Sequence, residues 1–140
     1  MSLLSIFDIA GSGMSAQNVR LNTIASNMAN ASSVASTPDQ AYKSRQPVFA
    51  AVMEDQMKPA SATSATGVRV MGIVESQAEH TSRYEPNHPL ANEEGYIYQS
   101  NVDVIEEMTN MMVAARNYQN NIEMLNTSKE LLLRTLSLGE

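Results

Sequence analysis

The sequence predicts an α+β fold in which long N- and C-terminal helices pair as a coiled-coil domain that carries a small β-rich central insert. Apolar residues in both terminal zones recur at alternating spacings of three and four, which is typical of a helix with one buried stripe. The zone between them, residues 31–100, holds all five prolines and four of the five tyrosines of the 140-residue chain. We therefore assign residues 1–33 and 101–140 to the coiled-coil domain and residues 34–100 to the insert.

The N-terminal helix is predicted from eight positions that follow the alternating spacing. We call this set the N-terminal seam: Leu3, Phe7, Ala10, Met14, Gln17, Leu21, Ile24 and Met28. Gly11 and Gly13 are expected to interrupt the helix, because each glycine costs about 1 kcal/mol relative to alanine in a helix interior. The pair indicates a bend, a frayed first segment or close contact with a neighbouring element.

The sequence of the insert predicts its secondary structure less strongly than the terminal zones predict helices. Residues 67–75 are rich in β-branched side chains and follow a polar loop, so they form the best strand candidate. Residues 42–52 are a second candidate, which Pro47 confines to a sheet edge or a bulge. Residues 84–95 are rich in turn-forming residues, and residues 96–98 are expected to pair briefly.

The C-terminal helix is predicted to begin near residue 104. Asp103, with Glu106 three residues on, resembles a capping box, and Asn101 is an alternative N-cap. Gly139 lies where a C-terminal cap would end the helix. Ten positions keep the alternating spacing and form the C-terminal seam: Val104, Met108, Met111, Ala115, Tyr118, Ile122, Leu125, Lys129, Leu132 and Leu136.

A second apolar stripe lies beside this seam. It consists of Ile105, Met112, Leu131 and Leu133, with Leu138 near its end. A helix that is apolar on more than one face needs more than one partner. The N-terminal helix can be one partner, and the others must come from the insert or from other chains. Surplus apolar faces of this kind are what a polymerising subunit needs, because heterologous contacts that do not close into a ring generate helical filaments.

Composition argues against several classes of function. The net charge of −6 is unfavourable for nucleic-acid binding, which needs basic residues to neutralise phosphates. The absence of cysteine excludes disulfides, thiolate catalysis and cysteine-ligated metals. His80 and His88 lack the spacing of metal ligands, and we expect them on a solvated surface. Glu106 and Glu107 are adjacent on the predicted helix and point in different directions, so they do not face a common substrate. We predict that the protein is not an enzyme and that it has no cofactor and no small-molecule substrate.

Signals for a membrane location or for secretion are also weak. No apolar run approaches the roughly 18 residues of a membrane span. The N-terminus has no Lys or Arg before its apolar part, so it lacks the charged region of a secretory signal. If the protein leaves the cytoplasm, we expect a route that does not use a cleaved signal peptide.

Both ends of the chain resemble the bacterial flagellar axial proteins, the family of rod, hook and hook-associated subunits. The N-terminal motif is Leu21-Asn-Thr-Ile-Ala-Ser-Asn-Met-Ala-Asn30, which includes Asn27. The C-terminal motif comprises Asn101-Val-Asp-Val-Ile-Glu-Glu-Met108, Ala115-Arg-Asn-Tyr-Gln-Asn-Asn121 and the segment Leu132 to Gly139, and includes Asp103, Arg116 and Tyr118. The short chain and the segments 4–11 and 84–96 are similar to the proximal-rod members of the family.

This resemblance implies a structural subunit of the proximal rod of the flagellar basal body. Such a subunit would polymerise with copies of itself and other rod proteins around the axial export channel and transmit motor torque across the periplasm. It would be a substrate of the flagellar type III export apparatus. The residues themselves leave an alternative open: a soluble helical adaptor or export-chaperone-like module that holds a partner's helix on its Met-rich helix.

Overall fold

A computed structural model describes residues 3–52 and 67–137, with two long helices on either side of a β-rich insert. The elements in chain order are α1 (Leu3–Asn30), β1 (Val34–Ala35), β2 (Arg45–Val52), β3 (Gly67–Glu75), β4 (Ser82–Tyr84), β5 (Tyr96–Gln99) and α2 (Val104–Ser137). The predicted α+β class is confirmed. The side chain of Leu3, the loop 54–66, Leu138 and Gly139 lie outside the described residues.

The two helices pack antiparallel. Asn27, near the end of α1, bonds to Glu107 near the start of α2, and Gly13 lies against Asn121. The two contacts are two heptads apart on each helix, and the residue numbers fall along α1 as they rise along α2. This repeat is consistent with the predicted coiled-coil pairing.

Asp103 caps the N-terminus of α2. Its Oδ1 accepts hydrogen bonds from the N–H groups of Ile105 at 2.8 Å and Glu106 at 3.1 Å. Asn101, the alternative cap, instead accepts a bond from the Ser44 N–H at 2.6 Å and donates one to the carbonyl of Ala78. Asp103 therefore starts the helix, whereas Asn101 holds the insert.

The expectation that the glycine pair interrupts the first helix is wrong, because α1 is continuous from Leu3 to Asn30. A Cβ built on Gly13 would stand 3.1 Å from Nδ2 of Asn121, whereas one built on Gly11 would meet nothing within 4 Å. Close contact with a neighbouring element therefore accounts for Gly13. Packing against α2 compensates for the weak helix propensity of both glycines.

Replacing Gly11 with alanine is expected to raise the free energy of unfolding by about 1 kcal/mol, because helix propensity is the main term that changes. Gly13→Ala is the matched variant, and its gain should be smaller because the new methyl group forces Asn121 to shift. Chemical denaturation of both variants beside the wild type measures the difference. Equal gains would contradict the close approach of α2 at Gly13.

The insert contains two small antiparallel sheets. In one, β2 pairs with β3 from Arg45 opposite Glu75 to Val52 opposite Gly67, with a register shift between Val48 and Phe49. In the other, β5 lies between β1 and β4. Pro47 lies next to the register shift in a two-stranded sheet, so its predicted place at an edge or bulge is confirmed.

All three predicted β-segments of the insert form strands. The stretch 67–75 is β3 as predicted, and the candidate 42–52 is a strand from Arg45 onward. The brief pairing expected at 96–98 is β5, which extends to Gln99 and forms the centre of its sheet.

The β2–β3 hairpin lies along α1. At one end, the Arg45 N–H donates to Oδ1 of Asn27 at 2.9 Å. Toward the other end, the Val68 N–H donates to Oγ of Ser12 at 3.1 Å. The hairpin is therefore attached to α1 at two points that are about four helical turns apart.

The buried apolar core is small. Among the residues that the structure describes, it consists of Ala10, Ala16, Ile24, Ala41, Ile97 and Ala114. Only two of these six side chains are larger than alanine, so many of the large apolar residues lie on the surface of the single chain. Within the described ranges, no helix is long and apolar enough to cross a membrane.

Candidate assembly surface

The polar centre of the molecule is the side chain of Asn27, a residue that is 1% exposed. Its Nδ2 donates to Oε1 of Glu107 at 2.7 Å and to the carbonyl of Arg45 at 2.8 Å. Its Oδ1 accepts from the Arg45 N–H at 2.9 Å and from the Tyr42 hydroxyl at 3.0 Å. An asparagine amide has two donors and two acceptor lone pairs, so its hydrogen-bonding capacity is fully used.

These contacts, which we call the Asn27 network, join three elements. Asn27 lies on α1, Arg45 begins β2, and Glu107 lies in the first turn of α2. Buried polar groups are costly unless they are satisfied, so the network favours one orientation of the insert on the helix pair. The insert and the helices therefore form one mechanically connected unit.

Glu107 is buried, with 7% of its surface exposed, whereas Glu106 is exposed. The prediction that these neighbouring carboxylates point in different directions is confirmed. A carboxylate in the first turn is favoured by the helix dipole. The bond from Asn27 is charge-assisted, which makes it one of the stronger contacts between the two helices.

The side of α2 that faces α1 is small and polar. Glu107, Ala114 and Ser128 are buried on this helix, and Asn121 contacts Gly13. These four residues recur every seven positions. Half-buried residues of the predicted C-terminal seam lie between or just beyond them: Met111, Tyr118, Leu125 and Leu132.

The other half of the predicted C-terminal seam is displaced by one residue. Met108, Ile122, Lys129 and Leu136 are exposed, and Ala115 is half-buried. Val104, which shares the heptad position of Met111, is exposed at the start of α2. These residues were expected to be buried against α1. Positions 107, 114 and 128 are buried in their place, and position 121 contacts Gly13. Close approach at Gly13 and the bond from Asn27 favour small and polar partners there, and apolar periodicity alone cannot reveal this preference.

The described residues of the N-terminal seam lie on the less exposed side of α1. Ala10 and Ile24 are buried, and the other described members are half-buried: Phe7, Met14, Gln17, Leu21 and Met28. The mismatch between sequence pattern and burial is therefore confined to α2.

The second apolar stripe is uncovered in the single chain. Ile105 is 78% exposed, Met112 66%, Leu131 53% and Leu133 55%. The displaced seam residues Met108 and Leu136 add to this surface. Exposed apolar patches of this kind mark interaction sites, since isolated soluble proteins rarely leave them in water.

The remaining motif residues differ in their surroundings. Asn30 donates from Nδ2 to the carbonyl of Ser26, and its own carbonyl accepts from the Ser33 hydroxyl where α1 ends. Arg116 is exposed and Tyr118 is half-buried on α2. The partners of Asn27, namely Tyr42, Arg45 and Glu107, were not identified from the sequence, because no local spacing signals bonds between residues 15, 18 and 80 positions apart.

Both histidines lie at the surface, as expected, but each is half-buried and hydrogen-bonded. Nδ1 of His80 lies 2.9 Å from the carbonyl of Gln99, and Nδ1 of His88 accepts from the Leu90 N–H at 3.1 Å. Within residues 3–52 and 67–137, no group of three His, Asp or Glu side chains is placed to hold a metal ion.

Comparison with known proteins gives matches at both ends of the chain and over its full length. The family described as "Flagella basal body rod protein" matches residues 7–35, and "Flagellar basal body rod FlgEFG protein C-terminal" matches residues 93–138. The chain is 49% identical to "Flagellar basal-body rod protein FlgC" of Salmonella typhimurium and to that of Yersinia enterocolitica. It is 40% identical to that of Buchnera aphidicola from Schizaphis graminum. Each alignment covers 100% of both proteins.

Proposed function

The chain belongs to the FlgC family of flagellar basal-body rod proteins, and from this premise we propose that it forms the proximal rod. It is a structural protein of the basal-body rod and not an enzyme. In our proposal it polymerises with copies of itself and other rod proteins around the axial export channel. It reaches that position through the flagellar type III apparatus.

The observation that carries this proposal is the second apolar stripe on α2. Ile105 and Met112 are the most exposed members of the stripe, and nothing in the described part of the chain covers them. Full burial of such a side chain stabilises a contact by roughly 1.5–3 kcal/mol. In the rod, these residues and the displaced seam residues would pack against neighbouring subunits.

The Asn27 network supports a role in transmitting torque. A subunit under load must keep its insert fixed on its helix pair. The hydrogen bonds of the Asn27 side chain and the second attachment of the hairpin at Ser12 connect these parts. The proposal retains the division into residues 1–33 and 101–140 as the coiled-coil domain and residues 34–100 as the insert.

The adaptor alternative depended on the Met-rich face of α2 alone. The same face serves equally well for contacts between rod subunits, and the full-length similarity is to rod proteins. We therefore retain the rod as the single proposed function.

Isolation of basal bodies tests the proposal directly. In a strain whose own copy is deleted, swimming should be lost and should return when a tagged copy is expressed. The tagged chain should then be recovered in purified basal bodies and should map to the proximal rod by electron microscopy. Recovery only in the soluble fraction, with swimming unaffected by the deletion, would contradict a rod function.

A further inference from the structure

Two methionines lie side by side on the uncovered face of α2. Met108 is 52% exposed and Met112 is 66% exposed. They are four residues apart, so they are neighbours on the helix surface. By contrast, Met14, Met28 and Met111 are half-buried. The chain has ten methionines and no cysteine, so thioethers are its only sulfur groups.

We propose that Met108 and Met112 form an oxidation site that controls whether a free subunit can assemble, an inference that rests on the proposed rod function. The oxidant is a peroxide. A sulfur lone pair forms an S–O bond while the O–O bond breaks, and the departing hydroxide takes up a proton to give water. Sulfur loses two electrons, the peroxide gains them, and the product is methionine sulfoxide.

Accessibility and position together select these two residues. Met71 and Met124 are also exposed, at 61% and 51%, but only Met108 and Met112 lie one helical turn apart on the uncovered face of α2. A thioether has no proton to lose before it reacts, so contact between the peroxide and the sulfur is the main requirement. Met108 and Met112 meet that requirement in the free subunit. Once a neighbouring subunit covers them, the same contact excludes the oxidant.

Oxidation changes the chemistry of the surface. The sulfoxide is polar and chiral, and its oxygen needs a hydrogen-bond donor when it is taken out of water. An apolar contact supplies no such donor. An oxidised subunit is therefore excluded from the rod, whereas an unmodified subunit is accepted.

The first test measures the site itself. The purified full-length chain is treated with hydrogen peroxide, and sulfoxide formation is followed by peptide mass spectrometry. Met108 and Met112 should oxidise several-fold faster than Met14 and Met28. Equal rates at all four positions would overturn the inference.

The second test measures assembly. Cells that lack their own copy express the wild type or a Met108→Leu, Met112→Leu double variant while new basal bodies form in sublethal hydrogen peroxide. Recovery of the wild type in basal bodies should fall several-fold, and recovery of the double variant should not. Without oxidant, both should assemble equally, because leucine keeps the surface apolar. A Met108→Gln, Met112→Gln variant imitates the sulfoxide and should fail to assemble even without peroxide.

Met71→Leu is the matched control, since Met71 is 61% exposed on β3. This variant should remain sensitive to peroxide. Protection by Met71→Leu, equal sensitivity of the leucine double variant, or its failure to assemble without oxidant would each overturn the inference. Absence of the untreated wild type from basal bodies would instead contradict the proposed function.

Discussion

Asn27→Ala should lower the free energy of unfolding by about 3–5 kcal/mol, since breaking a buried charged contact and leaving polar groups unpaired are both costly. The substitution leaves the buried Glu107 without the amide donor that lies 2.7 Å from its Oε1. It also removes the side-chain partner of the Arg45 N–H and carbonyl, and one of the two partners of the Tyr42 hydroxyl, which keeps its contact with the Ser26 hydroxyl. The expected fall in Tm is roughly 10–20 °C.

Asn22→Ala is the matched control on the same helix. Asn22 is exposed, and its side chain bonds to Asn18 one turn away. Its replacement should change the free energy of unfolding by no more than about 0.5 kcal/mol. Adding Glu107→Gln to Asn27→Ala should recover part of the loss, because the buried group is then neutral. A loss below about 1 kcal/mol in Asn27→Ala would contradict a dominant role for the network.

Replacing Met112 and Leu133 together with serine should block incorporation into the rod and leave the monomer stable. These residues are 66% and 55% exposed, so the free chain loses little packing. In the rod, each would contribute roughly 1.5–3 kcal/mol, and the pair would weaken a subunit contact about 100-fold or more. Thermal unfolding of the purified monomer and recovery of the variant in isolated basal bodies measure the two effects.

The matched variant is Met112→Leu with Leu133→Met, which exchanges the two side chains and keeps the surface apolar. It should assemble like the wild type. If the serine variant unfolds earlier and still assembles, the stripe belongs to the core of the monomer, and the proposal of a polymer contact on this face fails.

The features that depend on local chemistry follow from the amino-acid sequence. The spacing of apolar residues predicted both long helices. Asp103 was predicted as an N-cap, and it is one because a short acidic side chain reaches the free N–H groups of the first turn. The β-branched stretch 67–75 forms β3, and Pro47 lies beside the register shift because it cannot donate to a ladder.

The face of α2 that meets α1 is known from the three-dimensional contacts and not from the sequence pattern. Apolar periodicity marks a stripe that avoids water, but it does not say whether this chain or another one covers it. Ile122 follows the apolar pattern and is 37% exposed, whereas Glu107 breaks the pattern and is buried. The buried position of Glu107 depends on the hydrogen bond from Asn27, which lies 80 residues away in the sequence. In the same way, the contact of Asn121 with α1 depends on the space left beside Gly13. Such contacts depend on how two helices approach each other in space, which local sequence patterns do not encode.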